Sequence, residues 1–342
     1  MNDSLLLKAL RREQVERPPV WLMRQAGRYM AEYRAVREGW SFLELCRTPK
    51  LCAEVMATAV ERLGVDAAIV FADLLPMLVP MGFDLQYVAG DGPVISNPFR
   101  LAADLDRVVE LDDVSAMSCV FDSVALTRQA VAPLPVIGFA GAPFTLAGYA
   151  IEGGTSRQFL ATKRLMKTEP EAWREFLLRL ARSSARYLNG QIAAGAEVVQ
   201  IFDSWVGTLG VEDYREYVLP AVQELTRMIT PGVPVIYFGS GNPSLLRSFA
   251  DAGTACVGVD WRVPIVDAWD AIGRDRAIQG NLDPATLLAS PETIRREASR
   301  ILDQVGDRPG FVFNLGHGIL KETPVENVIC LVETVKSWRR GR

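Results

Sequence analysis

Short apolar runs and amphipathic stretches alternate from near one end of the chain to the other. Eight runs read as strands: residues 20–24, 67–73, 136–141, 198–204, 234–240, 256–260, 277–283 and 311–316. Most are continuously apolar rather than alternating, the pattern of parallel strands covered by helices. The stretches between them carry helix punctuation. Residues 49–63 open on Pro49 and close before Gly64, 170–194 open on Pro170 and close before Gly195, and 291–305 open on Pro291 and close before Gly306. No Gly/Ser linker or composition break divides the chain. The alternation predicts one domain over residues 1–342, a closed (β/α)8 barrel of the TIM type. A doubly wound open sheet is the alternative, but no GxGxxG follows the first run and no P-loop occurs.

Charge and composition then narrow the chemistry. The net charge of −4 comes without a basic run or an acidic tail, so nothing predicts a nucleic-acid partner. Any anionic ligand must be met by local positive charge. The five cysteines are scattered and include no CxxC pair, as expected of reduced thiols in a cytoplasmic protein. With one histidine, His317, a multi-histidine metal site is excluded. The start at Met1-Asn2-Asp3 lacks the charge order and length of a signal peptide. Between Arg128 and Glu152 no charge occurs, long enough to span a bilayer. Pro133, Pro135, Pro143, Gly138, Gly141 and Gly148 break that stretch, which reads instead as a turn, a buried strand and a loop.

In a barrel of this kind, chemistry gathers at the C-terminal ends of the strands and in the loops after them. The first run leads into Arg24-Gln25-Ala26-Gly27-Arg28-Tyr29, the second ends in Asp73, and the third is followed by Thr145 and Tyr149. The fourth ends in Asp203-Ser204-Trp205 and the last leads to Gly316-His317-Gly318. Arg24 and Arg28 at a helix start would be unfavourable there unless they face an anion, and their planar forks suit carboxylates. Asp73, embedded in apolar sequence, is costly to bury unless paired or used. Asp203 suits a cap or a brace for a neighbour. Gly316 and Gly318 beside His317 permit close approach to a ligand. Phe139 and Phe202 suit either core or an apolar wall for a flat ligand.

Several segments match a known family. Met23-Arg24-Gln25-Ala26-Gly27-Arg28-Tyr29, followed by Glu32-Tyr33-Arg34, resembles the arginine signature of the uroporphyrinogen decarboxylases. Gly138-Phe139-Ala140-Gly141-Ala142-Pro143-Phe144-Thr145-Leu146 is similar to that family's second signature. Ile201-Phe202-Asp203-Ser204-Trp205, Gly258-Val259-Asp260-Trp261, Gln279-Gly280-Asn281-Leu282-Asp283-Pro284 and Leu315-Gly316-His317-Gly318-Ile319 resemble further segments in order. Three departures stand nearby: Met30-Ala31 for the common Leu-Pro, Ala72 for serine, and Val206 for Gly or Ala.

The resemblance implies a distorted barrel, a cytoplasmic homodimer, and a cofactor-free carboxy-lyase of haem precursor synthesis. It implies that the four acetates of uroporphyrinogen III become methyl groups, giving coproporphyrinogen III. Asp73 and Arg24 are then catalytic, and Arg24, Arg28, Asp73, Tyr149, Ser204 and His317 contact substrate. The backbone of Gln25, Ala26 and Gly27 lines it, and Arg37 matches a further cleft arginine. Two rivals remain open: a zinc-thiolate methyltransferase on the same barrel, and a non-catalytic tetrapyrrole binder. The first needs a His-x-Cys pair, whereas Gly318-Ile319 follow His317. Retention of both arginines and Asp73 opposes the second.

Overall fold

The computed structural model describes residues 3–88 and 92–339; Met1 and Asn2, which open the N-terminal reading above, lie outside them. Its strands in chain order are β1 (Ala68–Ile69), β2 (Leu85–Val88), β3 (Gly92–Ile95), β4 (Val136–Gly141), β5 (Val198–Asp203), β6 (Val235–Gly239), β7 (Cys256–Gly258), β8 (Ala277–Leu282) and β9 (Phe311–Leu315). Seven of these form one curled parallel sheet in the order β1-β4-β5-β6-β7-β8-β9, and β2 pairs antiparallel with β3. Helices cover the sheet, among them Pro49–Leu63, Pro143–Glu152, Pro170–Ala193, Pro291–Val305 and Val325–Ser337.

The expected first strand is reduced to one parallel bridge between Val20 and Phe313. That short segment closes the barrel. Phe313 N–H donates to Pro19 O at 2.9 Å on one side, and Asp66 N–H donates to Val20 O at 2.8 Å on the other. So few ladder bonds need reinforcement, and Asp66 supplies it. Its carboxylate accepts from Val20 N–H at 2.8 Å and takes both arms of Arg17 at 2.7 Å. Arg17 and Asp66 side chains are each only 10% exposed, so this bidentate pair is shielded from water. Inside, Trp21 Nε1 donates to Gln279 Oε1 at 2.9 Å and Gln279 Nε2 to Gln200 Oε1 at 3.0 Å, tying the closing segment to β8 and β5.

Other boundaries agree closely with the pattern. Strand β4 and the helices Pro49–Leu63 and Pro291–Val305 have the expected limits, and the long helix ends one residue early, at Ala193. The second strand stops at Ile69, which leaves Asp73 in the loop beyond it. The stretch read as a loop after β4 is instead the helix Pro143–Glu152. Proline is tolerated in the first turn, where its missing N–H has no partner to lose. Gly148 is required by packing, since a Cβ there would come within 2.8 Å of the Phe159 ring. The charge-free stretch is therefore a strand and a short helix; among the described residues no helix is long and apolar enough to cross a membrane.

Replacing Asp66 by alanine leaves the Arg17 guanidinium and Val20 N–H without their partner. We expect a loss of about 3–5 kcal/mol in stability, read from the urea midpoint at unchanged slope. A variant as stable as the parent would remove Asp66 from barrel closure.

Candidate active site

Residues 24–30 do not begin a helix; they form a succession of turns, and the helix starts only at Ala31. The argument from an unfavourable cation at a helix start therefore lapses for Arg24 and Arg28. The loop is held from beneath. Gln25 is fully buried, its Oε1 accepting from Leu22 N–H at 3.1 Å and its Nε2 donating to Ala67 O at 3.0 Å. Tyr29 O–H donates to Gln25 O at 2.6 Å. Met23 N–H donates to Asn314 Oδ1 at 3.1 Å, and Ile319 N–H to Met23 O at 3.0 Å. Between these anchors Arg24 adopts φ +62°, a conformation that non-glycine residues hold at a cost only where neighbours enforce it.

Arg24 then runs across the loop carrying the histidine. A Cβ on Gly318 would fall 2.5 Å from Arg24 Cδ, and one on Gly316 would fall 2.5 Å from the Trp261 backbone nitrogen. The glycines flanking His317 thus make room for protein neighbours. His317 lies half-buried, edge-on to Trp261 at 6.5 Å between ring centroids. Burial lowers its pKa to about 4, and the charges of Arg24 and Arg262 push the same way against Asp260. His317 is therefore a neutral imidazole near pH 7, a hydrogen-bonding group rather than a strong acid.

Asp73 stands on the other side of Arg24. Burial raises its pKa, while hydrogen bonds from Tyr87 and the Leu75 backbone and the Arg24 charge hold it down. Leu75 N–H donates to Asp73 Oδ1 at 3.0 Å, and Tyr87 O–H donates to the same oxygen. Oδ2 is the oxygen left for an incoming donor. Tyr87 belongs to β2 of the hairpin and packs on Phe42 at 5.6 Å between ring centroids. The Arg37 guanidinium lies 5.9 Å over that same Phe42 ring. Arg28 is solvent-exposed on the loop beyond Arg24.

Tyr149, on the helix after β4, feels both Asp73 and Arg24; burial raises its phenol pKa. Its ring meets Trp205 edge-on at 6.0 Å. Ser204 and His317 share a cavity of about 570 Å³ with Trp205, Ser240, Trp261 and Arg262, at the C-terminal ends of the strands. Asp203 does not enter it. Fully buried, it accepts from Thr145 Oγ1 at 2.7 Å and Tyr237 O–H at 2.6 Å, and burial pushes its pKa up to about 6. It is a brace, as its sequence position suggested. Phe139 and Phe202 meet edge-on at 5.5 Å, the former buried and the latter half-buried beside the site's strand ends.

Two residues escaped the sequence reading. Tyr87 sits on a hairpin whose period-two pattern was hidden by its shortness, and Arg262 follows a strand end that was noted only for Asp260 and Trp261. The position of Arg262, two residues beyond the expected strand end at Asp260, was the available signal.

A curled (β/α) barrel that sets an arginine near a carboxylate, a phenol and a neutral imidazole beyond its strand ends has the layout of an enzyme site. The chain matches the family described as uroporphyrinogen decarboxylase (URO-D) over residues 1–338, and it belongs to that family. It is 51% identical over 98% of its length to uroporphyrinogen decarboxylase of Carboxydothermus hydrogenoformans, covering 96% of that protein. It is 50% identical over 98% of its length to the enzyme of Koribacter versatilis, again covering 96%. Its class is thus that of a carboxy-lyase of porphyrin biosynthesis. Among solved structures it resembles a methyltransferase from Methanosarcina mazei, with TM-score 0.84 and 22% identity over 97% of this chain and 98% of that one. That likeness concerns the fold alone. Among the described residues no three His, Cys, Asp or Glu side chains are grouped to hold a metal.

Since the chain has one imidazole, its titration is directly readable. We expect the His317 C–H resonances to stay constant from about pH 5.5 to 8, given a pKa lowered to about 4; a midpoint at the ordinary value of about 6.5 would contradict this. Removing the Tyr87 hydroxyl by Tyr87→Phe deletes a donor that favours ionised Asp73. The Asp73 pKa then rises further, and the acid limb of kcat/KM moves to higher pH. An unmoved limb would separate Tyr87 from Asp73.

Proposed function

We propose that this decarboxylase acts on uroporphyrinogen III, converting its four acetates stepwise to methyl groups and releasing coproporphyrinogen III, with no cofactor. The observation that carries this reading is a half-buried carboxylate, Asp73, with one oxygen committed to the protein and an arginine beside it.

Loss of CO2 leaves an electron pair that must be accommodated. The substrate ring can take it after protonation of a pyrrole α-carbon, which generates an iminium-like cation. As CO2 departs, the pair flows into that cation and leaves an exocyclic methylene. The methylene carbon is protonated to a methyl group and the added ring proton is lost. Each cycle thus consumes one proton and releases one CO2.

Asp73 suits the cationic stage. Its free oxygen can accept from pyrrole N–H groups, and its negative charge offsets the developing positive charge in a site of low polarity. The hydrogen bonds from Tyr87 and Leu75 favour its ionised form against burial and fix it in place before substrate arrives. Arg24 and Arg28 would grip rim carboxylates, with the loop backbone at Ala26 and Gly27 alongside; Gln25 acts from underneath. Tyr149, Ser204 and His317 would supply neutral hydrogen bonds.

The proton donor follows by comparison. His317 is neutral, and the Tyr149 phenol is harder to ionise than in water. Arg24 is the cation adjacent to Asp73, and we assign it the delivery of the proton beside the departing carboxylate. An arginine gives up a proton reluctantly, so this step calls for immediate reprotonation from solvent. The same reading places the enzyme in the cytoplasm as a homodimer.

Anaerobic incubation with uroporphyrinogen III, followed by mass spectrometry of the product, should show loss of four CO2. Asp73→Asn should lower kcat by on the order of a hundredfold or more, the effect of removing a preorganised electrostatic group. Unimpaired turnover in that variant would sink the role given to Asp73.

A further inference from the structure

The arginines assigned so far lie on one side of the opening, yet uroporphyrinogen carries carboxylates around its whole rim. Across His317, the cavity wall presents another guanidinium, that of Arg262. It is built into place rather than free on the surface. Its Nη1 donates to Asp260 Oδ2, and its plane lies 4.2 Å from the Trp261 ring centroid. Asp260, only 5% exposed, is itself fixed by Gly241 N–H at 2.6 Å and Arg262 N–H at 3.0 Å.

One arm of the fork is therefore occupied, and among the described residues Nε and Nη2 donate no hydrogen bond. The Arg262 side chain remains 44% exposed, at a cavity that also holds Ser204, Ser240 and the Gly241 backbone. The other carboxylate on this wall is Asp283, whose Oδ1 is engaged by Ala285 N–H at 2.9 Å. Arg24 and Arg262 act on His317 together, so the imidazole stands between two cations.

We propose that Arg262, stacked on Trp261, is a second carboxylate clamp: it binds a rim carboxylate of the substrate on the side of the cleft away from Asp73. A guanidinium held by an ion pair and an aromatic face loses little freedom when it accepts a carboxylate, so its hydrogen bonds appear in affinity. Such a clamp grips the substrate equally before and during reaction, because carboxylates at that edge are not the ones being cleaved. Its removal then raises KM more than it lowers kcat.

This inference rests on the functional reading above, and the test separates the two. Steady-state decarboxylation of uroporphyrinogen under anaerobic conditions is measured for the wild type and for Arg262→Gln at several salt concentrations. For Arg262→Gln we expect KM to rise on the order of tenfold, kcat to change less, and the salt dependence of KM to become shallower. A loosened Asp260 loop alone would not flatten that salt dependence. If the glutamine variant does not fold, Arg262→Lys carries the test. It keeps a cation beside Asp260 but lacks the second set of donors, and its KM should also rise. An unchanged KM in a folded variant, or a loss confined to kcat, overturns the clamp. A wild-type enzyme that releases no CO2 overturns the functional reading on which the clamp depends.

Discussion

The shielded pairing of Arg17 with Asp66 is the constraint on which the rest of this molecule depends. A parallel barrel has no sheet edge only if its first and last strands meet, and here the first strand is a single bridge at Val20. Asp66 compensates by binding both the Val20 N–H and the two arms of Arg17. The consequence reaches the active site directly. The loop that follows Val20 carries Arg24, and its position between Asp73 and His317 is only as well defined as the closing segment beneath it. The bonds of Met23 to Asn314 and Ile319 transmit that definition to the loop.

Electrostatics divides the site into two unlike halves. On one side burial raises the pKa of a carboxylate, opposed by an aromatic hydroxyl, a backbone amide and an arginine. On the other an imidazole is kept neutral by burial between two arginines. The first half suits a transient cation and the second suits the anionic edge of a ligand. The deep carboxylate Asp203 belongs to neither; bonded to Thr145 and Tyr237, it steadies the strand end from which Ser204 projects.

Much of the fold was legible because parallel strands buried on both faces leave long uninterrupted apolar runs. Strands β4 and β6 are of this kind, and the prolines at their starts marked the helices Pro49–Leu63 and Pro291–Val305. The first two strands were overestimated, since the apolar residues after Val20 and Ile69 are buried in loops rather than in ladders. Pro143 and Gly148 disguised a helix, because one occupies its first turn and the other yields to Phe159. The residues after strand ends were readable as a set: Ser204 and His317 line one cavity, while Arg24 acts on Asp73, Tyr149 and His317 through its charge. Tyr87 was not readable: its partnership with Asp73 arises from a hairpin folding back across the opening, a contact that sequence spacing does not encode.

The closing bridge joins Val20 to Phe313, residues separated by almost the whole chain. During synthesis the segment that bears Arg24 leaves the ribosome early and waits, without its ladder partner, until the final strand emerges. The sheet can grow from β4 onward before that bridge forms, because loop closure over so long a span is slow. The bonds that fix the Arg24 loop to Asn314 and Ile319 therefore form only after the final strand of the sheet has emerged, late in the assembly of the reactive face.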